Sequence, residues 1–239
     1  MNSAFRVEKM DGLSSYNRKE IMSAHDKTHG VHGNERINAF SDGVFAIVIT
    51  LLVLELKVPE HLPEGGLLEI LPALLPAFLG HIISFMLVGM FWVGHHNMFL
   101  AIKRHDRVLL WLNNFFLLAI ATMPFFAGLL AHHTTDQASM VAYALNLIVA
   151  GIFLWLTWRH ATQKRRLVSA ELPASVVSHV ERRILIAPVL CVFAIISTFI
   201  NPSLSQFIFV LIPLLYIFPN PLDLLHHRKM AEQSTPSAS

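Results

Sequence analysis

Residues 36–59 read RINAFSDGVFAIVITLLVLELKVP, and the reading of this stretch decides the fold. From Val44 to Leu54 every residue except Thr50 is apolar, the pattern of a helix buried in a membrane. Charges crowd the ends of the run, with Arg36 and Asp42 before it and Glu55 and Lys57 after it. A charge at mid-membrane costs about 2.5–3.5 kcal/mol even on lenient insertion scales, so an acid here marks a functional position unless it only caps the helix. Were Asp42 the cap, with Ser41 helping, the helix would run from Gly43 to Lys57. That is about 22 Å, short of a hydrocarbon core of about 30 Å. A start near Glu35 lengthens it to about 34 Å and places Asp42 inside. The longer helix is the expectation.

The rest of the chain agrees with a membrane setting. Of 239 residues 54% are apolar and 14% charged, and the mean hydropathy is +0.54, which points to an all-α multi-spanning protein. The polar first 35 residues carry no apolar core or small-residue cleavage site, so no signal peptide is expected. The single Cys191 excludes an internal disulfide. No Ser-His-Asp or Cys-His set, Gly-rich phosphate loop or HExxH spacing appears. The expectation is therefore no enzyme, no cofactor and no metal site, and nothing in the charge points to nucleic acid.

Apolar runs place six spans at about 35–57, 71–95, 108–131, 138–158, 184–200 and 204–218. The polar stretch between spans four and five, RHATQKRRLVSAELPASVVSHVERR, reads as a partly helical segment lying on the membrane surface. This divides the chain into a disordered tail at 1–34, a membrane domain at 35–219 and a second tail at 220–239. With six crossings, seventeen of the 18 Lys and Arg residues fall on one side and only Lys57 on the other. Positive charge stays inside, so both termini are cytoplasmic in a cell membrane. Spans five and six are short, and a re-entrant hairpin would leave the same charge pattern.

On span one, helical spacing aligns Gly43, Ile47, Thr50 and Leu54 on one stripe. Such a stripe suits close approach to other helices. It equally suits a simple packing seam in which Thr50 bonds its own carbonyl four residues back. Span two offers Trp92, His95, His96 and Asn97, with His81 on a similar face near its outer end. Adjacent histidines on a helix point about 100° apart and cannot share one metal. One of them suits a polar contact with Ser41 or Asp42, the alternative being interfacial anchoring. Asn113 and Asn114 lie where they can join the same cluster, and Pro124, Pro188 and Pro213 mark kinks.

The same first stretch closely resembles the first helix of the prokaryotic members of the transmembrane protein 175 family. The R-x-x-x-F-S-D motif is met by Arg36, Phe40, Ser41 and Asp42, and FWVGHHNMF and WLNNFFLLAIATMPFFAGLL resemble the second and third spans. The likeness covers residues 36–130. It implies a homotetrameric potassium channel without a TVGYG filter, six helices per subunit, in a bacterial or archaeal plasma membrane. Its partners would be its own copies, membrane lipid and K⁺. The pore constriction it implies falls on Ile47 and Leu54 with Leu51, and the hydroxyl ring on Thr50. Arg36, Phe40, Ser41, Asp42, Trp92 and His95 or His96 would form the polar network that braces the pore helix. The runner-up is a proton- or cation-coupled transporter using Asp42 and the span-two histidines.

Overall fold

A computed structural model describes residues 34–57 and 66–217. The expected tail before residue 34, part of the first outer loop and the tail from residue 220 lie outside the described residues. All described regular structure is helical, apart from an isolated antiparallel bridge between Ile102 and Val168. Helix α1 spans Asn34–Glu55 and tightens to a 3-10 turn over Leu52–Glu55. Then come α2 (Leu67–Ala101), α3 (Arg107–Ala121), α4 (Met123–His132), α5 (Gln137–Thr162), α6 (Ala174–Thr198) and α7 (Pro202–Tyr216).

Among the described residues four stretches are long and apolar enough to cross a membrane: Asn34–Glu55, Leu74–Ala101, Arg107–His132 and Gln137–Arg165. The third is α3 and α4 together, broken at Thr122. Pro124 at the start of α4 has no N–H to give the preceding turn. Asn146 of α5 ties the two halves together beside the break, donating to the Ala119 carbonyl at 3.1 Å and accepting from Thr122 Oγ1 at 3.0 Å. The polar stretch between α5 and the apolar part of α6 is partly helical. Its helical parts are the last turn of α5 and the start of α6, since Ala174 to Arg183 is continuous with the apolar part of that helix. Val176, Val180 and Ile184 recur every four residues and are buried, which carries the helix through its polar face.

Helix α5 is the centre of the bundle, packed on α3, α4 and α6. Its buried row, including Tyr143, Leu147, Ala150, Leu154 and Trp158, meets Phe45 and Val48 of α1, Val88 of α2, Phe116 of α3, Ala187 of α6 and Phe209 of α7 in one core. Lipid tails are as apolar as leucine, so shape rather than water exclusion must hold such helices together. Gly151 is one point where shape is strict. A Cβ there would lie 2.5 Å from Cγ of Pro188, a ring that cannot swing aside. At Gly128 a Cβ would meet only the tip of the Glu55 side chain, which is free to rotate away. Gly151→Ala should therefore cost about 1–3 kcal/mol as overpacking, while Gly128→Ala stays near wild type. Thermal melts of the two purified variants compare them directly.

At the end of the bundle where α1 begins, a collar of hydrogen bonds joins four segments. Asn34 donates to the Ile102 carbonyl at 2.9 Å and accepts from His105 Nδ1 at 3.0 Å. The backbone N–H groups of Lys103 and Arg104 both reach the Leu167 carbonyl, at 2.7 and 3.2 Å. Asp106 caps α3 by accepting from Leu109 N at 2.8 Å, and its carboxylate also takes His160 Nε2 at 2.9 Å with Arg166 at 3.8 Å. Partial burial pushes the Asp106 carboxyl up, but the Leu109 N–H, His160 and Arg166 outweigh it and hold the group below its usual range. A folded pKa below the unfolded one stabilises above about pH 4, and that contribution is lost as pH falls through the lowered value. Between pH 5 and 3 the melting temperature of the wild type should drop more than that of Asp106→Asn.

Candidate pore helix and its polar brace

At about 100° per residue, α1 has three distinct sides. Ser41, Phe45, Val48 and Leu52 fall on one and are buried, none more than 3% exposed. Ile47, Thr50, Leu51 and Leu54 fall on the opposite side, where Ile47 is 60% and Leu54 68% exposed. Asp42 and Ile49 occupy the flank between. The helix already includes Asn34, the first described residue, so Asp42 is inside it and is not its cap. The long helix required by the hydrocarbon thickness is the one that forms.

The buried side carries a directed chain of hydrogen bonds across three helices. His95 Nε2 of α2 donates to Asn113 Oδ1 of α3 at 2.8 Å, Asn113 Nδ2 donates to Ser41 Oγ at 3.2 Å, and Ser41 Oγ donates to the Ile37 carbonyl at 2.9 Å. His95 is sandwiched between the rings of Phe99 and Phe116, with centroids at 4.4 and 5.5 Å. Each donor in the chain has an acceptor, as buried polar groups require. On the flank, Asp42 accepts from Trp92 Nε1 at 2.9 Å, and Trp92 stacks on His96 at 5.6 Å. The two histidines thus divide: His95 joins Ser41 in the interior, and His96 stands exposed behind Trp92.

The motif residues do not all meet. Arg36 and Phe40 turn to the same side as Ile47 and Leu54 and are exposed, Phe40 by 59%. No ion pair joins Arg36 to Asp42 among the described residues, and neither Arg36 nor Phe40 touches the Ser41 chain. The reason is angular: Arg36, Phe40, Ile47 and Leu54 are spaced to share one stripe, whereas Ser41 and Asp42 fall elsewhere. Asn113 belongs to the brace and Asn114 is exposed. The far end of α1 is held by His81 Nδ1, which donates to the Leu52 carbonyl at 3.2 Å, a contact that the sequence reading did not assign. Asn34 was not distinguishable from the preceding polar tail by sequence.

Thr50 Oγ1 donates to its own helix, with the Ile47 carbonyl at 2.8 Å and Ala46 at 3.1 Å. The proton is thereby committed inward, and the oxygen lone pairs remain on the exposed side. Among the described residues no three His, Cys, Asp or Glu side chains gather to hold a metal ion.

Comparison with known proteins bears on the same region. The model of the family described as endosomal/lysosomal potassium channel TMEM175 matches residues 36–124, from α1 into the start of α4. A potassium channel of Streptomyces collinus is 38% identical over 143 residues, 58% of this chain and 69% of the relative. The human endosomal/lysosomal proton channel TMEM175 is 33% identical over 145 residues, which span 56% of this chain but only 29% of that longer protein. The crystal structure of a lysosomal potassium-selective channel TMEM175 homolog from Chamaesiphon minutus superposes with a TM-score of 0.70 at 31% identity, covering 78% of this chain and 97% of that one. By these matches, and by the first-helix motif that they contain, this chain belongs to the TMEM175 family.

Proposed function

We propose that four copies of this chain assemble around a common axis as a passive potassium channel, with α1 of each copy lining the pore. The observation that carries this reading is the exposed stripe Ile47, Thr50, Leu51 and Leu54, set opposite the side of α1 that its own subunit buries. The homologous potassium channels supply the ion. In this reading α6 and α7 cross as the fifth and sixth spans and both termini are cytoplasmic. The membrane domain covers 35–219 between two tails, in the plasma membrane of a bacterium or archaeon. The protein acts without cofactor and catalyses no reaction.

The physics of such a pore is simple. Rings of Ile47 and Leu54 expel water when narrow, and a pore closed by dewetting needs no moving plug. Between them the Thr50 oxygens offer lone pairs to a cation that has shed part of its hydration shell. Na⁺ holds its water more tightly than K⁺, so a few weak ligands favour K⁺ by a modest factor. Asp42 is turned about 130° from the stripe and bound by Trp92, so it places no acid ring on the axis. Selectivity is therefore incomplete. The brace through His95, Asn113 and Ser41 fixes the rotation of α1, and rotation decides which side chains face the ion.

Flux in proteoliposomes tests the reading. K⁺ should move down its own gradient and continue when a protonophore collapses the pH gradient. Flux that stops with the pH gradient would establish a coupled transporter instead, and no flux would leave a scaffold. The human relative's name makes H⁺ the second ion to measure, in liposomes free of K⁺.

A further inference from the structure

Away from the stripe, a cavity of about 530 Å³ opens where α2 stands off from α6 and α7. This is within the range of small-ligand sites, about 300–1,000 Å³. Its walls are Ile49, Phe85, Met90, Leu154, Ile184 and Pro213. A Cβ on Gly89, which borders it, would meet no atom within 4 Å. The polar groups collect at one end. Arg183 donates from Nη2 to the Tyr216 carbonyl at 2.9 Å, and its guanidinium lies over the Tyr216 ring at 5.1 Å. Exposed Arg182 stands beside it.

Depth gives this arrangement its meaning. Residues Ala174–Arg183 of α6 are polar and Ile184–Thr198 apolar, so Arg183 sits at the level where a membrane helix leaves the headgroups. The cavity runs from that cation into the hydrocarbon. Ile49 lies about 150° around α1 from the proposed pore stripe, so the opening faces lipid rather than the axis. Basic pockets between membrane helices on the cytoplasmic side suit anionic headgroups.

We infer that this cavity is a lipid site: it takes one acyl chain of an anionic phospholipid, whose phosphate is held by Arg183. The volume admits a single chain, and the second chain remains in the bilayer. The inference uses the proposed orientation but not conduction, and its readout is bound mass, so it stands or falls separately from the channel reading.

The test is native mass spectrometry of protein released from vesicles of phosphatidylcholine and phosphatidylglycerol in equal parts. Wild type should retain one phosphatidylglycerol per chain in preference to phosphatidylcholine. Gly89→Leu, which fills the cavity without backbone conflict, should lose the bound lipid. Arg183→Gln should keep a chain but lose about fivefold of the preference for phosphatidylglycerol, the worth of one basic side chain at an anionic surface. Retention of wild-type phosphatidylglycerol by Gly89→Leu would overturn the site. So would displacement by oleate with no preference among phospholipids, or disulfide formation between copies by Gly89→Cys in a Cys191→Ala background. Gly89→Leu keeps the inference testable if Arg183→Gln does not fold.

Discussion

Ile47→Cys, Thr50→Cys and Leu54→Cys, made singly, should each crosslink copies of the chain under mild oxidation, while Val48→Cys and Leu52→Cys should not. The contrast is sharp because Val48 is 3% and Leu52 1% exposed, both inside their own subunit, one or two residues from positions on the open side. A seam packed against another helix of the same chain has the same spacing but never meets its own copies. Cys191 is fully buried, and Cys191→Ala is the better background because a serine would bury an unpaired hydroxyl. The same stripe sets conduction. Ile47→Ala or Leu54→Ala removes apolar surface from a ring four times over and should raise ion leak well above wild type in a dewetting pore. Thr50→Val should lower the preference for K⁺ over Na⁺. Stripe variants that remain monomeric on a gel and conduct like wild type would remove α1 from the pore.

The second large effect belongs to the brace. Asn113→Leu keeps the branched shape but strands His95 Nε2, while Ser41 keeps its bond to the Ile37 carbonyl, and an unmet buried polar group costs about 1–3 kcal/mol. The loss should therefore reach about 1–3 kcal/mol, a fall of roughly 2–12 °C in melting temperature. His95 already lies between two phenyl rings, a place where another ring fits. Adding His95→Phe and Ser41→Ala to Asn113→Leu should thus restore most of the stability, since replacing all partners by apolar groups removes the unmet demand. Losses that simply add across the three changes would show that these groups do not act as a unit.

The two effects differ in how far the sequence announced them. The start of α1 was legible because membrane thickness left no shorter helix possible, and the break at Thr122 because Pro124 cannot donate. Which of His95 and His96 enters the interior was not legible. Neighbouring positions differ by about 100°, and only the location of α3 decides between them; Asn113 and Asn114 pose the same question. Arg36 and Phe40 were grouped with Ser41 and Asp42 as neighbours in a motif, yet helical rotation sends them to another side. The helical part of the polar stretch before the apolar part of α6 is legible in the four-residue recurrence of Val176, Val180 and Ile184, whereas its continuity with the apolar helix is not marked by composition. Asn34 offered no local signal, because its partner Ile102 lies 68 residues along the chain.

The three-sidedness of α1 bears on how the chain can change over time. A helix bathed in lipid on one side accepts any apolar residue there, as the exposed Phe193, Ile196 and Phe207 of α6 and α7 can. In the proposed assembly α1 has hardly any such side: one is spoken for by the interior, one by the other copies, and the flank between by Trp92 and the walls of the cavity that Ile49 borders. Each substitution there must satisfy a particular neighbour, whereas α6 and α7 drift along their lipid faces without penalty. Residues 36–124, which the family's model matches, include nearly the whole of this constrained helix.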